Sequence, residues 1–280
     1  LAIGCLVLLV ALGWICLGLM LAGEGFVHQP LPSGQPVPHP FADRIGLFGW
    51  SQATYGVLCQ PTFGTADPGG PAVAAVALMW IAMVLAMMLP TAGPMILTYS
   101  EMAETAARKG GRAASPLVLI AGYGLVWAGF AVAAAALQLA LTRAALLDPS
   151  MASASTLFSG AVFVAAGLYQ FSALKQACVR LCRQPAPFFS ANWSERRRTI
   201  FRLGVRQGLY CVGCCWAMML VMFAVGVMNV IWMAALGFIM AAEKIAATTR
   251  FSKAIGIVST VLGIGFIAVA VVAHWPVRPG

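Results

Sequence analysis

Residues 209–242 read LYCVGCCWAMMLVMFAVGVMNVIWMAALGFIMAA, 34 residues without a charge. As one helix this run would be about 50 Å long, against a bilayer core of roughly 30 Å. Gly226-Val-Met-Asn229 lies in its middle, and Gly and Asn favour turns. The run is therefore read as two helices, about 208–225 and 229–246, joined by a tight hairpin. Outward from it lie further apolar runs at 1–22, 71–97, 117–141, 156–174 and 254–274. The expectation is an all-α, polytopic transmembrane helix bundle of seven helices, or six if the first is cleaved as a signal. In domain terms, 1–22 is the first transmembrane helix, 23–70 an outer loop and 71–274 a six-helix core.

The composition agrees. Of the 280 residues 61% are hydrophobic and 9% charged, against roughly 25% charged in an ordinary soluble domain. That excludes a soluble globular enzyme and an intrinsically disordered chain. The net charge of +9 would point to nucleic acid in a soluble protein. Here it is read as topology, with no nucleic-acid partner, because cytoplasmic loops collect Lys and Arg. With loop 23–70 outside, segments 98–116, 175–207 and 243–253 fall inside and hold 14 of the 17 basic residues. Only Arg44, Arg143 and Arg278 fall elsewhere. A single long helix over 209–242 would instead place Lys244, Arg250 and Lys253 outside. The expected location is the bacterial inner membrane, amino terminus in and carboxyl terminus out.

The loops and spans carry smaller signals. Leu31–Pro40 holds four of the 16 prolines and reads as extended. Residues 41–59 are amphipathic and are open between a plain loop and an interfacial helix with Trp50 and Tyr55 at the headgroups. The basic run after Trp193 reads as a topology anchor first and an anionic-lipid contact second. Pro90 and Pro94 interrupt the helical ladder of the second span. Gly122, Gly129, Gly204 and Gly208 fit close helix packing. Gln138, Tyr169, Gln170 and Asn229 read as interhelical hydrogen-bond partners.

The chemistry concentrates in sulfur. Of eight cysteines, Cys178 and Cys182 follow the fourth span, and Cys211, Cys214 and Cys215 open the fifth. All five fall near the inner face, where a reducing cytosol disfavours structural disulfides. Four-residue spacing puts Cys178 with Cys182, and Cys211 with Cys215, on shared helix faces. Met218, Met219 and Met222 continue upward from Cys215, and Met79, Met83 and Met87 form a second stripe. Thiolates and thioethers suit Cu(I), with tetrahedral Zn²⁺ as second choice; oxygen ligands for Mg²⁺ or Ca²⁺ are scarce. The bland alternatives are that Met is core filler and buried Cys a small inert hydrophobe. His28, His39 and Cys59 read as scattered outer-loop residues. Glu243 and Lys244 end the sixth span and, as sequence neighbours, do not share a helix face; they read first as an interfacial anchor and second as groups that reach a site at the inner surface. No P-loop, His-Glu-x-x-His or Gly-x-Ser-x-Gly pattern occurs, so no enzyme activity is expected.

Five blocks together resemble a known family. They are Gly167-Leu-Tyr-Gln170, Leu174-Lys-x-x-Cys178-x-x-x-Cys182, Gly208-x-x-Cys211-x-Gly-Cys-Cys215-Trp216, Gly226-Val-Met-Asn229-x-x-Trp-Met-Ala234 and Glu243-Lys244. Met-Met-Leu-Pro90 with Pro94 also fits. The chain is similar, over roughly 75–250, to a bacterial family of integral membrane proteins, a domain of unknown function predicted to bind metal. Some of its members carry a copper-chaperone label. The resemblance implies Cys178, Cys182, Cys211, Cys214 and Cys215 as candidate ligands and supplies no reaction.

The leading expectation is a protein that binds or hands over a soft metal ion, Cu(I) first, at a cytoplasm-facing thiolate cluster. Cys211, Cys214 and Cys215 are first ligands, Cys178 and Cys182 complete the site, and Met218 and Met222 are secondary groups. Its partners would be the lipid bilayer, the metal ion, and a metallochaperone or membrane complex. A non-catalytic structural or assembly subunit is the alternative, and thiol redox chemistry a third.

Overall fold

The computed structural model describes residues 4, 7, 8, 10–15, 70–144, 146, 147, 155–227, 230–245 and 249–274. The segment 41–59, His28, His39, Cys5, Cys16, Cys59 and Asn229 lie outside the described residues. Every extended element described is an α-helix. In chain order they are α1 (Gly70–Arg108), α2 (Pro116–Arg143), α3 (Thr156–Tyr169), α4 (Ala173–Arg183), α5 (Pro185–Ala191), α6 (Arg197–Leu220), α7 (Met222–Val225), α8 (Val230–Ile245) and α9 (Thr249–His274). Residues 4, 7, 8 and 10–15 are also helical.

Local chemistry explains where these helices start and stop. Ser115, Ser155 and Ser172 cap α2, α3 and α4, each accepting a bond from a backbone N–H two or three residues on. Pro116 and Pro185 sit in first turns, where a missing N–H costs nothing. Gly226 ends α7 with φ +99°, a conformation that excludes most side chains. The break in the 209–242 run therefore falls at the expected residue, and α8 resumes at Val230.

Among the described residues, four helical segments are long and apolar enough to cross a membrane: Val76–Arg108, Pro116–Arg143, Arg197–Val225 and Thr249–Val272. The pair α3 and α4, bent by 64°, brings the number to five if counted as one span. The described residues therefore do not reproduce a count of seven. At 16 residues, α8 is about 24 Å long, short of a full span. The segment 175–207 differs more sharply from its reading as a loop. It is nearly all helix, in α4, α5 and the first turns of α6. High basic content had marked it as a connection, yet Lys and Arg are good helix formers.

Packing follows small residues. At the crossing of α2 and α6, a Cβ on Gly204 would lie 3.0 Å from the Leu119 carbonyl carbon and 3.1 Å from the Tyr123 nitrogen. Gly122 meets the Phe201 carbonyl in the same way from the other side, and Gly208 faces Val126. Gly129 differs from its expected packing role, with nothing within 4 Å of a Cβ placed there. A second close crossing joins α3 to α9, where Gly160 and Gly263 each face the other's carbonyl oxygen. A backbone obstacle cannot rotate away as a side chain can. Gly204→Leu should therefore cost about 1–3 kcal/mol, read as a lowered melting temperature, with Gly129→Ala neutral or slightly stabilising. Equal melting temperatures for Gly204→Leu and the native chain would contradict the crossing.

The core is rich in methionine. Met83, Met87, Met88, Met219, Met222 and Met240 are fully buried, beside Trp80, Trp127 and Phe223. Trp80 donates to the buried Gln138 side chain at 2.7 Å, so Gln138 links α1 to α2 as its polarity implied.

Candidate metal centre

The Cys-x-x-Cys-Cys sequence lies on one turn of α6. Its geometry brings the Cys211, Cys214 and Cys215 sulfurs within 4.8 Å of one another, and all three residues are buried. Cys214 Sγ stands 3.3 Å from Cys215 Sγ, and the Cys214 thiol donates to the Cys211 carbonyl at 3.1 Å. These are the contacts of free thiols, and no disulfide joins them.

Five other helices surround this turn. From α2, the Tyr123 hydroxyl lies 3.1 Å from Cys211 Sγ and 3.3 Å from the Met88 carbonyl. From α8, Lys244 Nζ donates to Cys211 Sγ at 2.9 Å and to Thr91 Oγ1 of α1 at 2.6 Å. From α4, Lys175 Nζ donates to the Cys214 carbonyl and, at 2.6 Å, to Glu243 Oε2. The Lys175 and Glu243 side chains are only 0% and 2% exposed. Arg183 donates twice to the Glu243 carbonyl, and Tyr169 donates to the Gly213 carbonyl.

The charges around the turn do not cancel among themselves. Lys175 and Glu243 form a neutral pair, which leaves the Lys244 ammonium directed at sulfur. A cation so placed favours a thiolate, the form of cysteine that binds metal. The ligand atoms are soft. Among the described residues the one buried carboxylate beside them, Glu243, is paired with Lys175. Such a set fits Cu(I) or Zn²⁺ far better than Mg²⁺ or Ca²⁺.

The other expected ligands are distributed less tightly. Cys182, half-buried on α4, lies outside the mutually close group of three. Cys178 is buried with its sulfur against Gly213, on the far side of the α6 turn from a shared centre. Met218 and Met222 are buried one and two turns beyond Cys214. The sequence reading missed Lys175, Tyr123 and Thr91 as members of this site, and gave Lys244 only as a second choice. Glu243 is buried and Lys244 meets the thiols, so neither is an interfacial anchor. Periodicity carried a signal for two of them. Thr91 extends the Met79-Met83-Met87 stripe by one turn, and Lys175 shares the face of Cys178 and Val179.

A family profile described as copper chaperone, PpoB2, matches residues 77–266, about two thirds of the chain. The chain belongs to this family. The matched residues take in the whole thiol turn, α2, α3, α4 and α8, and α1 from Ala77 onward. No curated relative and no solved structure matches the chain.

Proposed function

We propose that this PpoB2 chain is an integral membrane protein of the bacterial inner membrane that binds Cu(I) and hands it over. Its amino terminus faces the cytoplasm and its carboxyl terminus the outside. The observation that carries the reading is the meeting of three buried thiols on one helix turn. The family's copper-chaperone description agrees with the donor set. So do four helices of membrane-crossing length and apolarity, and basic residues gathered in 98–116, 175–207 and 243–253.

Charge favours a monovalent ion. Two thiolates on Cu(I) give a complex of charge −1, which one lysine balances. Cys211 and a second thiolate would hold the ion, with Lys244 as counter-charge and the third thiol as an exchange ligand. Handing over requires such a spare donor, because a ligand can then leave before the ion is free. Membrane helices supply the dry surroundings that keep oxygen and chloride ligands away.

Anaerobic titration of purified, reduced protein against a Cu(I)-selective chelator tests this. One tightly held copper per chain is expected, with Zn²⁺ unable to displace it. Displacement by zinc would reassign the site to that metal. An absence of any bound metal, together with a stoichiometric protein partner, would favour the assembly-subunit reading. Orientation is tested separately, with Lys109→Cys in a Cys59→Ser, Cys182→Ser background. An impermeant maleimide should label it only in inverted vesicles, and labelling in right-side-out vesicles would reverse the topology.

A further inference from the structure

The basic run after Trp193 has no part in holding copper, and the fold arranges it in a row. Arg198, Arg202 and Arg206 are four apart along α6 and all are exposed. Among the described residues none of the three is paired with a carboxylate. Glu195 precedes the helix and is itself exposed. Arg206 is held in place. Its guanidinium lies over the Phe188 ring of α5, 5.2 Å from the centroid, and its Nη2 donates to the Tyr210 hydroxyl at 3.4 Å. Phe188 is fixed in turn, edge-on to Phe189 and to Tyr210. Three cations in a row, with no counter-charge from the chain, suit an anion from outside it.

A second row shows what else that partner must carry. Arg202, Leu209 and Trp216 are seven apart, so they stand nearly in line along α6. Leu209 is 56% and Trp216 36% exposed. The Trp216 ring is braced edge-on against Tyr169 at 5.0 Å. An acidic protein would meet the arginines and leave these two apolar side chains bare. A phospholipid has both parts, a phosphate and an apolar chain. Depth agrees with this. The stretch Arg197–Val225 has 29 residues, about 44 Å of helix, against a hydrocarbon core of roughly 30 Å. Residues 207–225 carry no charge, so the excess of about 14 Å falls at the arginine end. Arg202 and Arg206 then stand at headgroup level, with Leu209 and Trp216 beside the acyl chains.

We infer that Arg198, Arg202 and Arg206 form a headgroup site for an anionic phospholipid whose acyl chain lies along Leu209 and Trp216. The inference rests on the proposed placement in the inner membrane. A guanidinium suits the role, because its planar fork gives a phosphate two parallel hydrogen bonds. Arg202, central in the row, takes the phosphate, and Arg198 and Arg206 flank it one turn to either side. Net charge makes the selection. A zwitterionic lipid brings an ammonium with its phosphate, and three unpaired arginines repel it. The lipid would cover one side of α6 while Cys211 and Cys214 occupy the buried side. Through Arg206 and Phe188 the same site also reaches α5.

The test is retention of lipid by the full-length protein. Membranes are first washed with alkaline carbonate. The chain should stay with the bilayer, and its release would overturn the membrane reading itself. Detergent-purified protein is then incubated with equal amounts of phosphatidylglycerol and phosphatidylcholine and repurified, and the bound lipids are counted. The native chain should hold phosphatidylglycerol in excess. Each arginine contributes about fivefold to binding at an anionic headgroup, so changing Arg198, Arg202 and Arg206 together to Gln should cut that excess about tenfold or more. Lys at the same three positions should keep part of it, since the charge stays while the paired hydrogen bonds are lost. Arg108→Gln with Arg112→Gln, exposed at another connection, should keep all of it. Melting temperature checks folding, and Arg202→Gln alone carries the comparison if the triple change lowers it. An undiminished excess in the Gln variants would overturn the inference. Equal retention of the two lipids by the native chain would do so too, and would leave the row to an acidic protein. Release of the lipid by inorganic phosphate would reduce the site to a phosphate site without a chain contact.

Discussion

Replacing Cys211, Cys214 and Cys215 together by Ser should abolish tight copper binding while the protein still folds. The serine hydroxyl nearly matches the thiol in shape, but its oxygen is a hard donor that holds Cu(I) poorly. The three side chains are buried without a disulfide, so no covalent link is lost. Single changes should rank by proximity to charge. Cys211 is approached by both Lys244 and Tyr123, and its loss should be the most severe single change. Partners that orient a ligand without binding the metal typically contribute about 10–100-fold in affinity. Tyr123→Phe and Lys244→Met should fall in that range, and Cys211→Ser beyond it. The measurement is the same chelator titration, with the melting temperature of the metal-free protein as control. Native copper content in the triple variant would remove the assignment.

Much of the fold was legible because its signals are local. The break at Gly226 followed from length and from one residue type, and φ +99° shows why that type was needed. Cys211, Cys214 and Cys215 could be grouped by helical spacing alone. Other features depended on partners distant in sequence. Lys175 counted as a loop charge because a lysine in an apolar chain is most simply an anchor. Its burial depends on Glu243, 68 positions away. Glu243 and Lys244 were expected to diverge as sequence neighbours, and they do. One turns to Lys175 and the other to the thiols, so divergence served two contacts at the site, where an interfacial anchor had been the first expectation. Glycine spacing alone did not separate Gly129 from Gly122, since only the crossing of α2 with α6 decides which face is crowded. Cys178 and Cys182 share a face by spacing, yet four residues of helix carry them from a sealed position to a partly open one.

The pair Lys175 and Glu243 should show the largest stability effect in the chain. At 2.6 Å, with side chains 0% and 2% exposed, neither charge has water to fall back on. Removing one partner of a buried pair costs about 3–5 kcal/mol, since the other is left uncompensated. Lys175→Met is the harsher change, because Glu243 Oε1 already lacks a partner and Oε2 would lose its own. It also strips the Cys214 carbonyl of its donor. Glu243→Gln should cost less, since an amide still accepts a hydrogen bond from the ammonium. The double change to Met at both positions removes both charges and should recover most of the lost stability. Copper affinity should not recover with it. The Cys214 carbonyl would remain without Lys175, and the thiol turn would lose the contact that holds it against α4. Denaturation and chelator titration on the same three variants separate the two roles. If stability and affinity return together in the double variant, the pair only holds helices. If stability returns alone, Lys175 also positions the metal-binding turn, and the ion pair exists because that lysine must be buried to reach it.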